Sequence, residues 1–508
     1  VPTGQTGLND YCYAPPIVSQ AVKPNVLFVV DYSGSMQFPA YVSCDFDGYD
    51  KYVARCGNNN NTYDTTQIYY GYFDSNKCYE YSSSFFQEKN CDCSNKIGTS
   101  SCISGNLLNW ITTTRIDIAR WILTGGRTSS SEGNTFLESE GAKYTINDNN
   151  LKCTFEITAA STNKRSLTVK NYNGTCPLGN NVIKDANIRI RPSDPNSIKG
   201  IIHSFCDTSD LNGQINEKCQ MIMEFMVFAT GSGSYDREGE IKVGKQATIS
   251  ELISAINSET PYWGTPTGEA LWEAFDFYKQ INDHNYEANS AYIGRGNANK
   301  DPYYDGSGGN SFPVACRKSF VLLISDGAWN GAVDPVVPAR EMLINDLRED
   351  LPGKQNVYTY VVYAFGDTEV ETRLQGRQAS ITTAIFGGFE ERDGNNWPYP
   401  FTGIQYPNSS GICSSLGNTV RVNILAGPTV YCNSRGVTYP LSNCDPSGIW
   451  NETCAEWDTS QNSPKDGLPY NFYEAYDAPS LRIVLLNALY DILRRASSGA
   501  TVAALTSR

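Results

Sequence analysis

The sequence predicts an α/β protein built on a doubly wound, mostly parallel sheet. Three observations carry that expectation. Val26–Val30 is an unbroken, largely β-branched apolar run, the pattern of a strand buried on both faces. Comparable runs recur at Met221–Ala229, Ser319–Ile324 and Val357–Phe365, and segments of helical periodicity lie between them. Long polar, cysteine-bearing stretches interrupt this alternation, so the sheet is expected to carry large disulfide-held insertions.

Taken in order, residues 1–24 are Pro-rich and irregular. The domain itself is expected over 25–495, opening with the strand that ends at Asp31. Residues 37–105 hold six cysteines, many tyrosines and a run of four Asn, too polar for an independent core without crosslinks. From Ser104 to Gly126, Leu108, Ile111, Arg115/Ile118 and Ile122 recur at helical spacing and a Gly pair supplies a stop, which predicts one helix packed on the sheet. Residues 127–220 form a second insertion with four cysteines. The Met221–Ala229 strand and Gly239–Val243 read as a hairpin at one sheet edge. Thr248-Ile249-Ser250-Glu251 is a capping box, and a helix follows the segment Trp263–Leu271 through Tyr278. Residues 283–317 form another loop, and a helix is expected near Ala339–Leu347. A further insertion covers 385–477 with four cysteines. The last helix starts near Asp477-Ala478-Pro479, with an apolar stripe of Leu481, Val484, Leu485, Ala488, Leu489 and Ile492. Residues 496–508, small and polar, read as a linker-like tail.

Composition narrows the function. With 40 Lys and Arg against 54 Asp and Glu, the 508-residue chain carries a net charge of −14. That argues against nucleic acid and against an anionic membrane surface as direct partners. No apolar run reaches the ~18 residues of a membrane span. Sixteen cysteines without a CxxC pair suit disulfides rather than zinc ribbons, and so an oxidising, exported location. Only two histidines are present, and neither a GxSxG elbow nor a phosphate-binding glycine loop appears, so no enzyme activity is expected. Val1-Pro2-Thr3-Gly4 reads as a mature terminus.

Three polar loops each follow or flank a buried strand: Asp31-Tyr32-Ser33-Gly34-Ser35, the Gly264-Thr265 turn, and Ser325-Asp326-Gly327. A doubly wound sheet gathers such loops at its carboxyl edge. Two carboxylates and three hydroxyls, from Asp31, Ser33, Ser35, Thr265 and Asp326, make an all-oxygen shell for Mg²⁺, or for Mn²⁺ or Ca²⁺. Neutral hydroxyls only partly satisfy a divalent ion, which leaves it open to a carboxylate from outside. Asp45, Asp47 and Asp50 form a weaker candidate calcium loop, without EF-hand order or its terminal Glu.

The DxSxS, Thr and SDG elements resemble the metal-ion-dependent adhesion site of von Willebrand factor A domains. That resemblance implies direct contact with the ion for Ser33, Ser35 and Thr265, and direct or water-mediated contact for Asp31 and Asp326. A narrower resemblance, over roughly residues 25–500, is to the amino-terminal half of PilY-type tip adhesins of type IV pili. It rests on SGNLLNWITTTRIDIARWILTGG, WGTPTGEALWEAFDFY, CRKSFVLLISDG, IFGGFEERDGNNWPYP and the late EWD…DGLPYNFYEAYDAPSLRIVLLNALYDIL, in family order. It implies a secreted adhesin and assembly factor at the pilus tip, with minor pilins and an acidic protein or surface ligand as partners. Such adhesins usually continue into a β-propeller, and this chain is expected to stop where the linker to it would begin. The alternative is a structural filament-tip or extracellular matrix component with a non-essential metal site.

Two further expectations concern single residues. The insertions can pair their cysteines internally, which leaves Cys12 and Cys316; both precede the same end of neighbouring parallel strands, so a Cys12–Cys316 bridge is predicted. Arg115 and Asp117 are expected to be buried tethers within the fold. The insertion at 37–105, directly after the first metal loop, is expected at the rim of the site.

Overall fold

The computed structural model describes residues 22–46, 53–57, 61–131, 133–159, 165–179, 183–228, 238–262, 264–284, 290–307, 310–327, 329–331, 333–366, 370–392 and 468–505, with short pieces between 394 and 458. Its central sheet has six strands: β1 (Asn25–Asp31), β2 (Ile222–Phe228), β3 (Glu240–Val243), β4 (Ser319–Ser325), β5 (Val357–Ala364) and β6 (Phe472–Ala475). They run in the order β3-β2-β1-β4-β5-β6. Every neighbouring pair is parallel except β2 with β3, the antiparallel hairpin expected at one edge.

β1, β2 and β4 are buried along their whole length because helices cover both faces. Leu27 and Val29 pack with α4 (Thr267–Lys279), α5 (Val336–Ile344) and α6 (Val370–Phe386), through Leu271, Ala274, Val336, Met342 and Ile385. Val26, Phe28 and Val30 face the other way. They meet Ile118 and Ile122 of α2 (Arg115–Thr124), Leu252 of α3 (Ile249–Ser258) and Leu485 of α7 (Ala478–Leu505). The period-two alternation of a strand thus divides one apolar run between two cores.

The single helix predicted over 104–126 is two. α1 (Gly105–Thr112) ends at Thr113, which is extended at φ −77° and ψ 126°. α2 begins afresh at Thr114, whose hydroxyl accepts the Asp117 amide while the Asp117 carboxylate accepts the Thr114 amide. Three consecutive threonines lower helix propensity at the junction, and the capping box makes the break the stable choice. Only α2 packs on the sheet. Leu107, Leu108, Trp110 and Ile111 of α1 enter a third core instead.

That third core belongs to a lobe assembled from both early insertions. A seven-stranded sheet takes strands from residues 78–104 and from 128–190, and a four-stranded sheet spans 144–187. The two insertions are therefore one folded body that the α1–α2 segment threads. Disulfides Cys44–Cys56, Cys78–Cys93, Cys91–Cys102, Cys153–Cys176 and Cys206–Cys219 all close within their own insertion.

Other differences follow from sparse signals. Helix α6 mixes polar and small residues without a clean apolar period and was not expected. Strand β6 is only four residues long and lies inside the stretch read as insertion 385–477. The tail read as a linker continues α7 to Leu505, since Ala, Ser and Thr stripped of large side chains still form helix when a stable helix precedes them. Cys316 is disulfide-bonded, and Cys12 lies outside the described residues. No helix among the described residues is long and apolar enough to cross a membrane.

Candidate functional site

Strand order reverses between β1 and β4, because the chain leaves β1 for β2 on one side and leaves β4 for β5 on the other. At such a switch point the loops leaving the two carboxyl ends diverge and open a crevice. β1 ends at Asp31 and β4 at Ser325, and their register sets Val30 opposite Ile324. The two polar loops consequently start side by side.

A chain of short contacts links them. The Ser33 amide donates to Asp31 Oδ1 at 2.7 Å, and the Ser325 hydroxyl donates to Asp31 Oδ2 at 2.6 Å. Ser33 Oγ lies 2.9 Å from Ser35 Oγ, which donates to Asp326 Oδ1 at 2.8 Å. Asp31 and Asp326 are both fully buried. Burial, then the neighbouring Asp326 carboxylate, push the Asp31 carboxyl up to about 7, against the pull of its bonds from Ser325 and Ser33. A buried Asp31 whose ionisation is opposed by burial and by a neighbouring carboxylate is a place where a cation is electrostatically favoured.

Thr265 arrives from a third element. Its amide donates to Asn330 Oδ1 at 2.6 Å and its carbonyl accepts the Asn330 amide at 3.1 Å, so it is tied to the loop that begins at Asp326. Gly268, in the first turn of α4, makes this possible. A Cβ there would fall 2.1 Å from the Val333 carbonyl oxygen, so only glycine lets helix and loop come this close. The next residue, Glu269, accepts the Val333 amide through Oε1 at 3.1 Å.

One cation is already present. Arg115, at the first turn of α2, places Nη1 2.5 Å from Asp326 Oδ2 and donates through Nη2 to the Gly366 carbonyl at 3.3 Å. Its side chain is 3% exposed and that of Asp326 is 0% exposed. The Phe38 carbonyl accepts the Arg115 amide at 3.1 Å, and the guanidinium lies 5.8 Å from the Phe38 ring centroid. The first residues of the 37–105 insertion therefore line this wall. Asp117 is buried as well, held by the Ser139 hydroxyl, the Glu140 amide and nearby Arg165. Sequence reasoning named Arg115 as a tether but not its partner; Ser325 and Asn330 it did not single out.

The remaining candidates lie elsewhere. Asp45 is exposed on the short strand Cys44–Phe46, and Asp47 and Asp50 fall outside the described residues. The sulfurs of Cys78, Cys91, Cys93 and Cys102 lie within 4.8 Å of one another, but all four are spent in two disulfides.

Fold and site together define a disulfide-rich α/β protein with a cluster of buried carboxylates and hydroxyls at the carboxyl edge of its central sheet. Residues 60–196 match the family described as PilY1 homolog, small alpha/beta domain, so this stretch, most of the lobe, is PilY1-like. Neither a curated protein nor a solved structure matches the chain.

Proposed function

We propose that the chain is an exported type IV pilus adhesin and assembly factor. On this reading the central sheet is a von Willebrand factor A-like domain that binds surfaces or minor pilins through a divalent cation, Mg²⁺ foremost. The observation that carries it is the contact chain from Asp31 through Ser33 and Ser35 to Asp326, at the strand-order switch point. Asp31, Ser33, Ser35, Thr265 and Asp326 would hold the ion, which when bound would offer a position to an acidic group of the partner. Ser325 fixes the Asp31 carboxylate, and Asn330 fixes the turn that presents Thr265. The PilY1-like lobe, which abuts the Arg115 wall through Phe38, would govern access to the crevice.

The test is Mn²⁺ binding by equilibrium dialysis, with Asp31→Asn beside the wild type. The variant is expected to lose about tenfold or more in affinity; equal binding by both would overturn the reading. A second reading, a structural filament-tip component with a non-essential site, draws on the Arg115 ion pair, which already neutralises Asp326. Capture of minor pilins that is indifferent to chelation would favour it.

A further inference from the structure

Arg115 is an expensive residue to keep where it is. Burying a guanidinium and a carboxylate carries a large desolvation penalty, offset only by close pairing. The structure provides that pairing at 2.5 Å, adds the Gly366 carbonyl as a second acceptor and places the Phe38 ring nearby. A tether could be built more cheaply from apolar contact. The guanidinium, however, touches the Asp326 oxygen not used by Ser35, so Oδ1 stays directed at the donor ring while Oδ2 is neutralised.

We propose that Arg115 sets the charge selectivity of the site, lowering its affinity for the divalent cation so that a partner's carboxylate is required for tight binding. This rests on the metal-site reading above. With both serving as ligands of a bound ion, the Asp31 and Asp326 carboxylates and the one guanidinium paired with Asp326 sum to a single negative charge. A divalent cation turns that into a single positive charge, and one outside carboxylate returns it to zero. Without Arg115 the two carboxylates alone would balance the ion, and an anionic partner would bring uncompensated charge into a buried crevice. Cation and anionic partner are then thermodynamically coupled, each tightening the other by the same factor. Arg115 acts through Asp326 and is a positioning residue.

The experiment titrates Mn²⁺ into the full chain by calorimetry, with and without saturating acetate as the carboxylate probe. In wild type, acetate is expected to tighten Mn²⁺ several-fold. Arg115→Gln is expected to bind Mn²⁺ about tenfold tighter and to lose the acetate effect, because a positive charge at this range repels the ion strongly in a buried site. Arg115→Lys, which keeps the charge, is expected to behave as wild type. A purely structural role predicts the reverse, with weaker Mn²⁺ binding in Arg115→Gln as Asp326 loses its support, and that result overturns the proposal. Should Arg115→Gln not fold, Asp326→Asn is compared with the double variant Arg115→Gln/Asp326→Asn. The double variant, from which the guanidinium is gone, is expected to bind Mn²⁺ about tenfold tighter than the single; equal affinity overturns the proposal. Loss of Mn²⁺ binding in Asp31→Asn alongside no tightening in Arg115→Gln removes this inference alone. No Mn²⁺ binding by wild type or Arg115→Gln removes the metal-site reading with it.

Discussion

The Ser35 hydroxyl donates to Asp326 Oδ1 at 2.8 Å across 291 residues of chain. That one bond joins the loop leaving the first strand to the loop leaving the fourth. It requires β1 and β4 to be parallel neighbours in correct register, and a one-residue slip would turn Asp31 away from Ser325.

Gly268 is the tightest point between α4 and the loop after Asp326. Gly268→Ala places a methyl 2.1 Å from the Val333 carbonyl, so helix and loop must part. The expected cost is about 1–3 kcal/mol, in line with other overpacked sites, seen as a lower midpoint in urea unfolding. Because Thr265 precedes this turn, Mn²⁺ affinity should fall in the same variant.

Thr114 caps α2 and positions Arg115. Its hydroxyl accepts the Asp117 amide and donates to the Glu140 carbonyl at 2.6 Å. Thr114→Ala is expected to destabilise the chain by about 1–2 kcal/mol in urea unfolding. Thr114→Ser, which keeps both hydrogen bonds, should recover most of that.

Glu224 gives the fold a pH dependence away from the site. It lies fully buried on β2, and neither carboxylate oxygen has a hydrogen-bond partner. Burial pushes its carboxyl up to about 8, opposed by Lys245 and Arg317 and reinforced by Asp301. The folded chain therefore holds this proton more tightly than the unfolded chain does. Its stability contribution is complete below the ordinary glutamate range and declines as pH rises toward 8. Glu224→Gln removes that decline. Its thermal midpoint relative to wild type should climb between pH 5 and pH 8, by the equivalent of roughly 2 kcal/mol. A difference that stays flat with pH would show Glu224 ionised throughout.

Cys316 is disulfide-bonded just before β4. A non-reducing peptide map is expected to recover it joined to Cys12, tying the amino-terminal segment to the sheet. Recovery with any of Cys413, Cys432, Cys444 or Cys454 would place the bridge in the late insertion instead.

Much of the central sheet could be read from the sequence because strands buried on both faces need unbroken apolar runs. Val26–Val30, Met221–Ala229, Ser319–Ile324 and Val357–Phe365 stand out against a polar background. Strand β6 could not, since Phe472–Ala475 is an edge strand with two of its four residues only half-buried. The break between α1 and α2 was hidden for a different reason. The apolar period runs through Thr113 without a change of phase, yet its first half faces the lobe and its second half the sheet. The residues of the crevice could be named because serine and aspartate at alternate positions after a strand are conspicuous. The Arg115–Asp326 pair could not, because a helical arginine looks the same in sequence whether it meets water or a carboxylate 211 residues away.

The distance in sequence between Ser35 and Asp326 also dictates when the two loops can meet. A polypeptide that has emerged from the ribosome only as far as β3 possesses the serine loop but lacks the strand that completes it. Such a half-made molecule holds Asp31 and two hydroxyls without the Asp326 carboxylate that Ser35 meets in the finished fold. The contact between the two loops is thereby postponed until the fourth strand has been made and has docked.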